Sequence, residues 1–116
     1  MKLLFAFALV AYALAQEPTI YTPGSGVSLP QATKQVKAEY TEEAKANRIE
    51  GAVFLAVVVL ADGAIGEVKV AKSLDTIYGL DANAVKAMKQ WQFKPGTKDG
   101  KPVAVRVHVE MTFSLK

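Results

Sequence analysis

The sequence predicts an α+β fold, a three-stranded antiparallel/mixed sheet with two helices on one face, and three features carry that expectation. From Leu80 to Trp91 the apolar residues Leu80, Ala84, Val85, Met88 and Trp91 recur at helical spacing. From Val103 to Leu115 they alternate one for one: Val103, Val105, Val107, Val109, Met111, Phe113 and Leu115 against Ala104, Arg106, His108, Glu110, Thr112 and Ser114. Ahead of both, "AVFLAVVVL" from Ala52 to Leu60 is too apolar for a half-exposed strand and too β-branched for a comfortable helix. It reads as a strand with neighbours on both sides.

Each element has its own local signals. In "YTEEAKANRIEG" Thr41 can cap a short helix, Glu42 and Glu43 fall in its first turn, and Lys45 and Arg48 lie towards its end. Gly51 suits the left-handed position that terminates such a helix, and Tyr40, Ala44 and Ile49 would face the core. The strand Ala52–Leu60 then runs into Asp62-Gly63, a hairpin signal for a type I′ turn, with a return strand from about Ile65 to Ser73. Leu80-Asp81 opens the second helix, with Asp81 as N-cap and Leu80 stapled against Val85. Pro95 forbids its continuation, "TKDGKP" turns the chain, and the long alternating strand follows. A hairpin, a helical crossover and a third strand give the spatial order two-one-three. The first strand is then central and the crossover is right-handed.

At 116 residues the chain holds one domain. Residues 1–15, "MKLLFAFALVAYALA", combine Lys2, a short apolar run and Ala13-x-Ala15, the parts of a secretory signal peptide cleaved between Ala15 and Gln16. The rival reading is an inner-membrane anchor, but a helix of this run rises about 20 Å against a hydrocarbon core of roughly 30 Å. Residues 16–29 carry Pro18, Pro23 and Gly24-Ser25-Gly26 and read as a flexible leader, with the domain proper at 30–116. Export after cleavage implies a periplasmic or secreted protein. With no cysteine it has no disulfide and no thiol chemistry. Five lysines fall between Lys86 and Lys101 with only Asp99 against them, which reads as a solvated face rather than a nucleic-acid surface, since the net charge is only +3.

Catalysis has little to stand on. His108 is the lone histidine and no tight acidic cluster accompanies it, so the residues suggest neither a metal nor a cofactor. No GxSxG elbow occurs, Ser73 reads as a strand-end residue, and Asp62, Asp81 and Asp99 each have a turn or cap explanation. Trp91 and Phe93 read as buried anchors at the helix exit. Enzyme is the weakest class.

Several runs together resemble the C-terminal domain of the TonB energy-transducer family. They are Tyr40 with Ala44, "RIEG" ending at Gly51, the valine-rich strand ending in Asp62-Gly63, "VKVAKS", and "AVKAMKQWQFKPG" with Trp91, Phe93, Pro95 and Gly96. The resemblance covers roughly Pro30 to Lys116. It implies a periplasmic α+β domain that grips the N-terminal peptide of outer-membrane transporters by edge-strand pairing and passes on force from an inner-membrane motor complex. The sequence departs from a full transducer in three ways: no competent anchor helix, no histidine in the N-terminal apolar run, and no long proline-rich spacer. Thr41 also stands where the family commonly has proline. Coupling through this chain alone therefore requires the apolar run to remain. The alternative is a freestanding exported binding or assembly module with the same fold and no energy coupling.

The long strand is the expected working part. Thirteen residues from Val103 extend about 43 Å at ~3.3 Å each, against about 30 Å for Ala52–Leu60, so some of it should overhang with unpaired main-chain groups. The edge Arg106, Val107, His108, Val109, Glu110, Met111, Thr112, Phe113 and Ser114 is the candidate site for an extended peptide, or for a second copy in a homodimer.

Overall fold

The computed structural model describes residues 19–115; the expected signal peptide, its cleavage point at Ala15–Gln16 and the first residues of the leader lie outside them. In chain order the elements are β1 (Ile20–Tyr21), β2 (Gln31–Lys34), α1 (Glu42–Ala46), β3 (Gly51–Val59), β4 (Ile65–Lys72), α2 (Leu80–Met88), β5 (Gln92–Lys94), β6 (Gly96–Lys98) and β7 (Lys101–Phe113). The main sheet runs β1-β7-β3-β4, β6 pairs with β7, and β2 and β5 form a separate two-stranded sheet. The expected three-stranded sheet is thus only part of what forms. β1, β5 and β6 are two or three residues long, too short to leave an alternation in the sequence. β1 also lies in the segment expected to carry no regular structure.

β3 occupies the centre. It is antiparallel to β7 from Gly51↔Phe113 to Val59↔Val105, and antiparallel to β4 on its other side. Val53, Leu55, Val57 and Val59 project from one face and are fully buried, and Met111 and Phe113 of β7 are buried in the same core. Ala44 of α1 and Leu80, Ala84, Ala87 and Met88 of α2 close the same core, so both helices lie on one face. Burial of apolar area at roughly 25 cal/mol per Å² is the main stabilising term here, because no disulfide is possible.

Three local expectations are corrected. The Asp62-Gly63 hairpin is not type I′: Gly63 has φ 88° but Asp62 has no positive φ. Gly63 N–H donates to the Leu60 carbonyl and Leu60 N–H to that of Ala64, both at 2.8 Å. That is a type I turn closed by a left-handed glycine. The turn with two left-handed residues is Asp99 (φ 52°) and Gly100 (φ 78°), between the paired Lys98 and Lys101 of β6 and β7. The first helix is ended not by Gly51, which opens β3, but by Arg48 at φ 55°. Arg48 N–H reaches the Lys45 carbonyl at 2.9 Å and Ile49 N–H that of Ala44 at 3.0 Å, both bonds of a Schellman motif.

Asp81 is not the cap of α2. It is buried in the first turn, and the N-cap position belongs to Gly79. The capping charge comes from Asp75, whose carboxylate accepts from the N–H groups of Ile77 (2.9 Å), Tyr78 (2.9 Å) and Leu80 (3.1 Å). The Asp81 carboxylate accepts in turn from Leu74 N–H (2.9 Å), Asp75 N–H (3.0 Å) and the Ser73 hydroxyl. Burial by itself would raise both pKa values, but the donated hydrogen bonds outweigh it and hold both below the ordinary carboxylate value. The loop from Ser73 to Leu80 is thereby fixed at the head of α2.

Candidate functional site

β7 has two different sides. Its inner side is paired with β3 from Val105 to Phe113. β6 pairs with β7 at Lys101–Val103, and the outer side of β7 meets β1 at Ala104 and Val105. From Arg106 to Phe113 no strand among the described residues pairs with the outer side. The expected overhang is therefore corrected in place: β7 outruns β3 at its start, at Lys101–Ala104, and that end is taken by β6 and β1. Strand length alone could not show this, because it says nothing about register.

The candidate residues divide by face. Val107 and Val109 are half-buried and Met111 and Phe113 buried, all towards the helices. Arg106, His108 and Glu110 stand opposite Val58, Ala56 and Phe54 of β3, on the face without helices. His108 and Glu110 are exposed, as is Thr112. Ser114 lies beyond the end of the strand, and Leu115 N–H donates to the Glu50 carboxylate at 2.9 Å.

Residues 35–40 run beside this edge, and of them the sequence had singled out only Tyr40, as a residue facing the core. Asn83 Nδ2 donates to the Glu39 carbonyl at 2.8 Å and Trp91 Nε1 to that of Val36 at 2.9 Å. Tyr40 donates its hydroxyl to the Ile49 carbonyl, and its ring meets Phe113 edge-on at 5.4 Å. Burial, reinforced by Glu50, pushes the Tyr40 phenol above its ordinary value. Two open grooves lie between this segment and β7: one of ≈ 390 Å³ floored by Val36, Trp91 and Met111, another of ≈ 740 Å³ beside Tyr40, Thr112 and Phe113. The alternation Val36, Ala38, Tyr40 in "QVKAEY" was the signal available for an extended segment.

The remaining motif residues build the end of the molecule from which β7 sets out. Trp91 is half-buried and stacks on Phe93 at 6.0 Å. A Cβ on Gly63 would stand 2.3 Å from the Phe93 carbonyl, and one on Gly96 2.5 Å from that of Ser28. Both glycines are thus demanded by close backbone approach, and Pro95 sits between Phe93 and Gly96 where β5 gives way to β6. Among the described residues no group of three or more His, Cys, Asp or Glu is placed to hold a metal ion, and no helix is long and apolar enough to cross a membrane.

Residues 36–115 match the family model of the Gram-negative bacterial TonB protein C-terminal. Protein TonB of Vibrio cholerae is 37% identical over 82 residues, 71% of this chain and 33% of that protein. Protein tonB2 of Pseudomonas aeruginosa is 40% identical over 77 residues, 66% of this chain and 28% of that one. The matched region thus spans about a third of these relatives' length. The solution NMR structure of the Pseudomonas aeruginosa TonB CTD superposes with a TM-score of 0.61 at 25% identity, covering 82% of this chain and 93% of that one. The corresponding Helicobacter pylori structure gives 0.51 at 28% identity, with 69% and 83% covered. With a model match over most of its length and a fold in common, the chain belongs to the family of TonB C-terminal domains.

Proposed function

We propose that this chain is an exported TonB-like domain that binds the N-terminal peptide of an outer-membrane transporter by strand addition, as part of energy-coupled transport. One observation carries the reading: among the described residues no strand pairs with the outer edge of β7 from Arg106 to Phe113, while its inner edge is paired throughout that stretch. An incoming extended peptide would gain main-chain hydrogen bonds there. Alternate side chains would point into the grooves beside residues 35–40 or towards Arg106, His108 and Glu110. The domain works in the periplasm, after removal of residues 1–15, with no cofactor. An inner-membrane motor complex is a partner only if the apolar run is retained as an anchor.

Amide hydrogen exchange with and without a synthetic transporter N-terminal peptide, at several protein concentrations, tests the site. Added protection concentrated at Arg106–Ser114 supports it. Protection confined to the helices, or none at any concentration, would sink it. Protection that grows with protein concentration in the absence of peptide would instead mark a second copy as the occupant of the edge.

A further inference from the structure

The chain itself fills the outer side of β7 directly ahead of the stretch assigned to the peptide. β1 lies parallel to β7, with Ile20 opposite Ala104 and Tyr21 opposite Val105, immediately before the open stretch begins at Arg106. The segment that follows is clipped to the β6–β7 hairpin. Ser28 N–H donates to the Thr97 carbonyl at 2.8 Å, Thr97 N–H donates to Ser28 Oγ at 2.9 Å, and Val27 bridges Lys98. The Lys98 ammonium stands 4.9 Å from the centre of the Tyr21 ring.

This strand is short for a chemical reason. Continued in register, Thr22 would meet Arg106 and the next residue is Pro23, which has no N–H to give the ladder. Gly24 at φ 111° and its paired hydrogen bonds with Val27 then turn the chain away. Ile20 is left 41% exposed, so little apolar burial holds β1 in place. The leader therefore puts a weak two-residue strand ahead of an edge that no other strand among the described residues covers from Arg106 to Phe113.

We infer that β1 is an internal competitor for the peptide edge, occupying Ala104 and Val105 in the resting protein and being displaced when a peptide pairs along the whole strand. The inference rests on the peptide reading of β7. A ligand whose binding-competent state is only a fraction of the population has its dissociation constant raised by the reciprocal of that fraction. If β1 is formed in about nine molecules in ten, releasing it tightens the peptide about tenfold. The leader then serves as a threshold, admitting only peptides that pair strongly enough to displace it.

The protein has no cysteine, so an Ile20→Cys, Ala104→Cys pair places two thiols opposite each other in register and nowhere else. The experiment titrates a fluorescently labelled transporter N-terminal peptide against the exported protein, the cysteine pair oxidised and reduced, and an Ile20→Gly, Tyr21→Gly double variant. The expected result is weaker binding when oxidised, recovered by reductant, and binding about tenfold tighter in the glycine variant. Should the cysteine pair fail to fold, the glycine variant decides the matter alone. Equal affinity in all forms overturns the competitor role and leaves the edge reading standing. Absence of binding in every form, the glycine variant included, overturns both.

Discussion

The Asp75 carboxylate satisfies three N–H groups at the head of α2 from a position five residues before the helix begins. Asp75→Ala leaves those donors without this partner, the Leu80 N–H in a buried site and the other two in a part-buried one. The expected cost is about 2 kcal/mol, near the top of the range for a lost cap, read as a shift of the urea midpoint at unchanged slope. Asp75 and Asp81 also predict an acid limb. Both folded pKa values are lowered from 3.8, so their stabilisation is complete above that unfolded value and is lost as pH falls through the folded values. Urea midpoints should be flat on this account above about pH 5 and decline below pH 4. In Asp75→Ala that decline should be shallower; an identical acid limb in variant and parent would contradict the assignment. Arg48, at φ 55°, holds a conformation that costs an L-residue roughly 1 kcal/mol or more. Arg48→Gly should therefore stabilise the protein by up to about 1 kcal/mol, the reverse of the usual effect of adding glycine.

Trp91 marks the point where α2 hands the chain to β5. Its ring stacks on Phe93 and its indole N–H fixes the Val36 carbonyl, so one residue joins α2, β5 and the 35–40 segment that borders β7. Full burial would give a Trp→Ala loss of roughly 3–5 kcal/mol. Because the ring is half-buried, the expected loss is about 2–3 kcal/mol, checked by chemical denaturation. Trp91→Phe keeps the stacking and forfeits the hydrogen bond, and should lose about 1 kcal/mol. A measured Trp91→Ala cost well under 1 kcal/mol would mean that the ring contributes little to packing and is free for recognition. At this same scale the two Asp-Gly dipeptides share a sequence and differ in turn type. Gly63 closes a three-residue loop that nestles against the Phe93 carbonyl, whereas Asp99-Gly100 closes a two-residue hairpin with a Cβ site open to solvent at Gly100.

The sheet leaves two edges to manage. β4 carries Glu67, Lys69 and Lys72, with Glu67 and Lys69 paired at 3.6 Å, and charge of this kind deters edge-to-edge association. On β7 charge stops at Glu110, and the stretch from Met111 to Phe113 offers only Thr112 as an exposed polar side chain. Glu67→Val with Lys69→Val should create a second adhesive edge, and sedimentation velocity should show more self-association than the parent shows at the same concentration. An unchanged sedimentation profile would mean that the twist and shape of β4, not its charges, protect it.

The sequence by itself determined which segments become the central hairpin, the second helix and the long strand, because each carries a period of 2 or 3.6 over enough residues to register. It also determined the α+β class and the family resemblance, through Trp91, Phe93, Pro95 and Gly96 in order after Asp62-Gly63. Only the tertiary structure decided what these pieces do to one another. A hairpin's turn type depends on what its glycine packs against, as at Gly63, and a helix cap can come from Asp75 in a preceding loop rather than from the adjacent Asp81. The candidate site divides in the same way. The alternation from Val103 to Leu115 marked a strand with one polar face. Which of its two hydrogen-bonding sides stays open, and that β1 covers its start, are matters of register with residues more than 40 positions away, and side-chain periodicity carries no information about main-chain pairing across that separation.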